Sequence, residues 1–255
     1  MLFFIGCSFT WGAGLEYEYL HSERGYSVEQ LNNMLPPTFD LESLDYNCDS
    51  YRKKHRYANL VAKELNVCHE VINMVNGGSN PNTRKLLKEN PTPDYATYII
   101  QFTNWARGID DEDLKNYIKD GRIGDEILRQ MGDIIRTIPN FGEHTNSYRD
   151  CILNTNSNWY VFSWEEDAGD VLSKKYPDNH IPIYLDGKEY NSFTETVVNR
   201  EGNTSFNETP NNGRGGVSDD KGLRLCDVIP GLNDTHLSSK GHKMIADSII
   251  RKLKR

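Results

Sequence analysis

Two short segments at opposite ends of the chain carry residue types that perform nucleophilic catalysis. The first segment contains Ser8, which follows the apolar run 2–5 and a Gly-Cys pair. An uninterrupted apolar run is typical of a strand buried on both faces, and the turn after such a strand lies at the edge where open α/β sheets bind ligands. Ser8 is therefore a candidate nucleophile, and its alternative role is to cap a helix.

The second segment contains His236, which stands two residues after Asp234 and before a stretch with helical spacing of apolar residues, 243–253. A carboxylate beside a histidine sets the ring tautomer and stabilises the imidazolium. Because a serine hydroxyl is a poor nucleophile until a base takes its proton, His236 could activate Ser8 if the fold brings them together. The alternative is a loop histidine bonded to backbone.

Four blocks in this order resemble those of the SGNH (GDSL-like) hydrolase family. They are Gly6-Cys7-Ser8, Asn73-Met74-Val75-Asn76-Gly77-Gly78-Ser79-Asn80, Gln101-Phe102-Thr103-Asn104 and Asp234-Thr235-His236-Leu237-Ser238. The resemblance implies that Ser8 is the nucleophile and His236 the general base. It also implies an oxyanion hole formed by the backbone N–H of Ser8, that of Gly78 or Gly77, and the side-chain amide of Asn104.

The chain departs from the family's pattern in the first, third and fourth blocks. Cys7 stands in place of the aspartate before the serine, Phe102 in place of a glycine, and Trp105 in place of an aspartate. In the last block, Asn233 holds the position three residues before the histidine where the family has its acid. Either Asn233 orients His236 without charge, or Asp234 does so through a remodelled loop. A carboxylate stabilises the imidazolium far better than an amide, so we expect Asp234.

The resemblance implies a serine esterase that needs no metal and no cofactor. Its substrate is expected to be a small-molecule or carbohydrate ester, with an O-acetyl group on a carbohydrate as the candidate. One alternative is a catalytically weak carbohydrate-binding module on the same fold, for which Cys7, Phe102 and Asn233 are the expected signs. The other is a thioesterase or lysophospholipase. Small relatives of this kind occur in bacteria and their viruses, so a bacterial or viral source is one option and the source stays open.

Composition agrees with an enzyme that acts on small molecules. The chain has 255 residues and a net charge of −8, so a general nucleic-acid binder and a protein docked on anionic lipid are disfavoured. The cysteines are scattered without a C-x-x-C pair, which argues against a disulfide framework and a metal site. No apolar run approaches the length of a membrane span, and a strand at residue 2 leaves no room for a leader, so we expect a cytoplasmic protein.

Strand and helix signals alternate along the chain, which is typical of a parallel sheet with helices on both faces. Strands are predicted at 2–5, 71–75, 96–102, 159–164 and 223–229. The predicted fold class is α/β: a three-layer flavodoxin-like sandwich with a mostly parallel five-stranded sheet. We expect one domain, 1–255, with insertions at about 16–51 and 178–220. The first is expected to wall the active-site cleft, and the second is either a mobile lid or substrate wall or a surface excursion.

Overall fold

The computed structural model describes residues 1–34, 46–73, 79–89, 96–138, 159–198 and 222–255. Within these ranges the centre of the molecule is a four-stranded parallel sheet in the order β2-β1-β3-β4. Its strands are β1 (Leu2–Gly6), β2 (His69–Asn73), β3 (Thr97–Phe102) and β4 (Trp159–Ser163). Ile5 pairs with Ile72 on one side and with Ile100 on the other. The carboxyl ends of the strands therefore meet at one edge of the sheet.

Helices flank this sheet, and a short antiparallel hairpin of β5 (Ile183–Leu185) and β6 (Lys188–Tyr190) lies outside it. The helices of the described residues are α1 (Ser8–Trp11), α2 (Leu15–Ser22), α3 (Val28–Asn33), α4 (Tyr46–His55), α5 (Tyr57–Leu65), α6 (Asn80–Glu89), α7 (Asp111–Lys119), α8 (Ile123–Ile135), α9 (Glu166–Lys175), α10 (Phe193–Val198), α11 (Leu225–Val228) and α12 (Ser239–Leu253). In the part of the chain described, none of them combines the length and apolar character that crossing a membrane requires.

Alternating side chains of β1 enter two separate apolar clusters, because successive residues of a strand point to opposite faces. Leu2 and Phe4 pack in a cluster with residues of α5 and α12. Phe3 and Ile5 pack in another cluster with residues of α6, α8 and α9. All of these β1 side chains are buried, which explains why the strand reads as an unbroken apolar run.

The fifth strand predicted over residues 223–229 is wrong. Arg224 forms one isolated antiparallel bridge with Leu237, and the chain then enters α11. Hydrogen bonds from Arg224 to the Asp227 carboxylate close this turn: the backbone N–H donates at 2.8 Å, and the guanidinium donates through Nε at 3.1 Å and through Nη2 at 2.8 Å. The apolar side chain of Leu225 packs in a third cluster, away from the sheet. The apolar residues of this segment are compatible with a strand, but local side-chain bonds favour a helical turn.

The two predicted insertions are described only in part. The first contributes α2, α3 and the start of α4, and residues 35–45 lie outside the described residues. The second contributes the β5–β6 hairpin and α10, and residues 199–221 lie outside them. The predicted strand over 71–75 is described as far as Asn73. Whether either insertion walls a cleft stays a prediction.

A chain of buried polar groups connects α12 to the end of the sheet. The backbone N–H of Tyr57 donates to His242 Nδ1, 3.3 Å away, and the Tyr57 hydroxyl donates to Thr10 Oγ1 at 2.7 Å. Thr10 in turn donates to Gln101 Oε1 at 2.7 Å. Burial, together with the nearby positive charges of His236 and Arg56, lowers the pKa of His242 to about 3. His242 is therefore neutral when the protein is folded at neutral pH.

This burial predicts acid sensitivity of the fold. Between the ordinary pKa of 6.5 and about 3, the unfolded chain binds a proton at His242 that the folded chain does not. The free energy of unfolding should therefore decrease as the pH is lowered through this window, by about 1 kcal/mol per pH unit for this residue. The His242→Asn variant keeps an acceptor for Tyr57. Its free energy of unfolding, measured with urea, should depend less steeply on pH between pH 6 and 4. An unchanged slope would contradict the prediction.

Candidate active site

Ser8 lies at the carboxyl end of β1, where the chain turns tightly into α1. The turn begins at Gly6, where a Cβ atom would lie 2.2 Å from Thr10 Oγ1 and 2.7 Å from Gln101 Cβ. Cys7 follows in extended conformation as the residue before α1 and is buried, with its thiol donating to Gln101 Oε1 at 3.6 Å. Because glycine alone fits this approach, the sequence Gly-Cys-Ser sets the position from which the Ser8 hydroxyl emerges.

Ser8, His236 and Asp234 form one continuous hydrogen-bonded line. His236 Nε2 lies 3.1 Å from Ser8 Oγ, and His236 Nδ1 lies 2.7 Å from Asp234 Oδ1. An ionised carboxylate only accepts hydrogen bonds, so Nδ1 carries the proton and Nε2 is the acceptor for the Ser8 hydroxyl. This is the arrangement in which an imidazole can take a proton from a serine.

The loop before α12 is shaped so that Asp234 reaches the ring of His236. Asp234 Oδ1 also accepts the backbone N–H of His236 at 2.7 Å. The carbonyl oxygens of Asp234 and His236 accept the backbone N–H groups of Cys226 and Leu225, at 3.1 and 2.8 Å, which pins the loop to α11. Asn233 is exposed, and its backbone N–H donates to Asn32 Oδ1 at 2.9 Å. Of the two residues left open by the sequence, the structure brings Asp234 to the histidine.

The pKa of His236 reflects opposing effects. Burial alone would lower it, but the charge of Asp234 and its hydrogen bond raise the pKa of His236 above the ordinary value, with a further contribution from Glu16. The positive charge of Arg107 acts in the opposite direction. His236 retains 28% side-chain exposure, so the ring remains accessible at the edge of the sheet. The site therefore stabilises the imidazolium that proton transfer from Ser8 would create.

Glu16 is a buried acid beside this pair that the sequence did not single out. Its side chain lies in the first turn of α2 and is almost fully buried. Burial raises the pKa of Glu16, and the charge of Asp234 adds to this effect, while the charge of His236 opposes it. Gly14, two residues earlier, has φ +93° and packs on the histidine: a Cβ there would lie 2.8 Å from His236 Cβ. The only local sequence signal for this contact is that Gly14 and Glu16 follow soon after the block Gly6-Cys7-Ser8.

An aromatic stack supports the histidine from the side of β4. Phe9 lies 4.9 Å from the His236 ring and stacks on Trp164 at 3.7 Å, both between ring centroids. Trp164 stacks in turn on Phe193 of α10 at 4.3 Å. These rings come from three distant parts of the sequence, so no local pattern could predict the stack. The contact of Phe9 with the imidazole limits how far the ring can rotate.

Asn104 lies just beyond the end of β3, at the same edge of the sheet as Ser8. Its Oδ1 accepts the backbone N–H of Ala106 at 2.8 Å, and its Nδ2 donates to Glu165. Gly77 and Gly78, the other predicted oxyanion donors, lie outside the described residues. Three of the four predicted sequence blocks therefore meet at this edge in the described residues, and the second block is described only at its ends.

No family model, curated protein or solved structure matches this chain. Among the described residues, no group of three or more His, Cys, Asp or Glu side chains is arranged to hold a metal ion. The chemistry of the site is therefore inferred from the geometry of Ser8, His236 and Asp234.

This geometry predicts which neighbour controls the titration of His236. In an NMR titration of the imidazole, the unaltered protein should give a pKa above the ordinary 6.5. Asp234→Asn should lower that pKa, because it removes the charge that favours the imidazolium. Asn233→Ala, at the adjacent position, is the matched control and should leave the titration unchanged. A shift in the Asn233 variant with none in the Asp234 variant would contradict the assignment.

Proposed function

We propose that this protein is a serine ester hydrolase of the SGNH type. The observation that carries the proposal is the hydrogen-bonded line from Ser8 Oγ through His236 to Asp234. Its position at the carboxyl edge of a parallel sheet agrees with the same proposal, since such edges bind ligands. We propose with it that the parallel sheet and its flanking helices form a three-layer, flavodoxin-like arrangement.

The reaction follows from the roles of the three residues. Ser8 Oγ attacks the ester carbonyl carbon while its proton passes to His236 Nε2, and the carbonyl electron pair moves to the oxygen. The tetrahedral intermediate collapses as His236 gives its proton to the leaving alcohol. Water then attacks the acyl-Ser8 ester by the same route and releases the acid and the serine. Asp234 stabilises the imidazolium in both halves.

The oxyanion requires donors aimed at the point where negative charge develops. The backbone N–H of Ser8 is one, because a residue in the first turn of a helix has no intrahelical acceptor. We propose the Asn104 side-chain amide as the second donor and Gly78 or Gly77 as the third. Removal of one such donor typically costs about 10²-fold or more in turnover.

The expected substrate is an ester of a small acyl group, and our candidate is an O-acetyl group on a carbohydrate. Ser8 is only 7% exposed, so the nucleophile lies in a confined position that suits a small acyl group. A complete Ser8–His236–Asp234 line is not expected of a module that only binds carbohydrate. This favours the hydrolase over the binding module, while a preference for long acyl chains is left to experiment.

Covalent labelling should identify the nucleophile. A fluorophosphonate probe should add one label per chain, mapped by peptide mass spectrometry to Ser8, because His236 activates that hydroxyl alone. Ser8→Ala should abolish the labelling, and Cys7→Ala, one residue away, should keep it. Labelling that survives in Ser8→Ala, or that maps to Cys7, would overturn the assignment.

The choice of acyl group can be read from two chromogenic esters. The kcat/KM for p-nitrophenyl acetate should exceed that for p-nitrophenyl octanoate by about 10-fold or more, since each excess methylene in a confined site is disfavoured. A preference for octanoate would identify a lipolytic enzyme instead. Hydrolysis of neither ester, together with no labelling of Ser8, would favour the binding module. Ser8→Ala is the control for background hydrolysis.

A further inference from the structure

The side-chain amide of Asn104 is held at both of its ends. The backbone N–H of Ala106 donates to Asn104 Oδ1 at 2.8 Å, and a backbone N–H can only donate. On the other side the Glu165 carboxyl oxygen Oε1 accepts from Asn104 Nδ2. A backbone donor on one side and a carboxyl acceptor on the other exclude a flipped amide. One of the two N–H bonds of Nδ2 points to Glu165, and the second points elsewhere.

Glu165 is itself held in place by its surroundings. Its backbone N–H donates to Ser163 Oγ at 3.2 Å, and the Ser163 hydroxyl donates to the carbonyl oxygen of Glu165 at 2.8 Å. The next residue, Glu166, begins α9, and the previous residue, Trp164, stacks on Phe9. The backbone on both sides of Glu165 is therefore fixed by the end of β4, by a helix start and by the aromatic stack.

Several contacts place Glu165 at the same edge as the Ser8–His236 pair. Its neighbour Trp164 stacks on Phe9, which follows Ser8 and contacts the His236 ring. Burial raises the pKa of Glu165, and the charge of Asp234 raises that of His236; the positive charge of Arg107 opposes both shifts, so both groups lie within its electrostatic range. Glu165 is thus part of the site, although it lies outside all four sequence blocks.

We propose that Glu165 is a positioning residue that holds the Asn104 amide so that its second N–H faces the oxyanion. The inference rests on the proposed esterase function, because it assigns Asn104 a donor role in that reaction. In this role Glu165 touches neither the substrate nor the reacting atoms. Glu165 accepts a hydrogen bond from Asn104 Nδ2, and it affects the rate only by orienting the Asn104 amide.

The acceptor matters here more than the charge. An ionised carboxylate close to a developing oxyanion would repel it, and the protonated form still offers a carbonyl oxygen to Asn104. Burial raises the pKa of Glu165, which favours the neutral form, although the hydrogen bonds from Trp105 and Asn104 oppose this. A glutamine at this position should therefore serve nearly as well, since its side-chain oxygen can accept the same hydrogen bond.

A double-mutant cycle on kcat for p-nitrophenyl acetate tests the proposal. Asn104→Ala should lower kcat by about 10²-fold, and Glu165→Ala by about 10-fold with little change in KM, because a misplaced donor loses only part of its effect. The double variant should be no slower than Asn104→Ala alone, since groups that act as a unit are not additive. Glu165→Gln should remain within about threefold of the unaltered enzyme, as a rescue by an acceptor of the same shape.

The adjacent and exposed Glu166 provides the matched control. Glu166→Ala should leave kcat unchanged, which separates the Asn104 contact from a general loss of negative charge. Thermal unfolding should be measured for each variant. If Glu165→Ala unfolds, Glu165→Met replaces it, because methionine keeps the volume and removes the acceptor.

The outcomes separate this inference from the proposed function. If Glu165→Ala retains full kcat, or if its loss multiplies with that of Asn104→Ala, the positioning role is overturned while the esterase stands. If Asn104→Ala retains full kcat on an ester whose turnover requires Ser8, the inference falls with the donor role of Asn104. If Ser8→Ala retains turnover, the proposed function itself is wrong.

Discussion

The hydrogen bond between Ser8 and His236 joins residues 228 positions apart, and the rest of the site depends on it. A bond over such a separation forms only if both ends of the chain are held independently of each other. The turn at Gly6 and the buried strand β1 hold Ser8, while bonds to α11 hold the loop of His236. The close packing of Gly14 on His236 joins the two ends directly. Glycine is required there, because any Cβ would displace the imidazole.

The surroundings of the imidazole divide into an acidic side and a side formed by aromatic rings. Asp234 and the buried Glu16 lie on the acidic side, where negative charge favours the protonated ring. Phe9 contacts the ring from the side of β4 and limits its rotation. The carboxyl groups set the proton affinity of His236, and the Asp234 hydrogen bond together with the contact of Phe9 sets the direction of the ring. Both are needed for a base that must accept a proton from one atom and deliver it to another.

The parts of the site that lie within single short segments could be predicted from the sequence. Ser8 follows an apolar run, and Asp234 stands close to His236, so their types and local spacing carry the signal. Glu165 could not be predicted, because its contact with Asn104 depends on how β3 and β4 pair, and nothing near it in sequence indicates that contact. The same limit explains the wrong fifth strand: the bonds between Arg224 and Asp227 that favour a helical turn are invisible to apolar periodicity.

A crystal structure of the protein with a covalently bound phosphonate would test the central claim most directly, because the phosphoryl group imitates the tetrahedral intermediate. We expect phosphorus bonded to Ser8 Oγ and the phosphoryl oxygen within about 3 Å of both the Ser8 backbone nitrogen and Asn104 Nδ2. His236 should still bridge Asp234 and the adduct. Phosphorus on another residue, or a phosphoryl oxygen pointing to solvent with Asn104 turned away, would contradict the account.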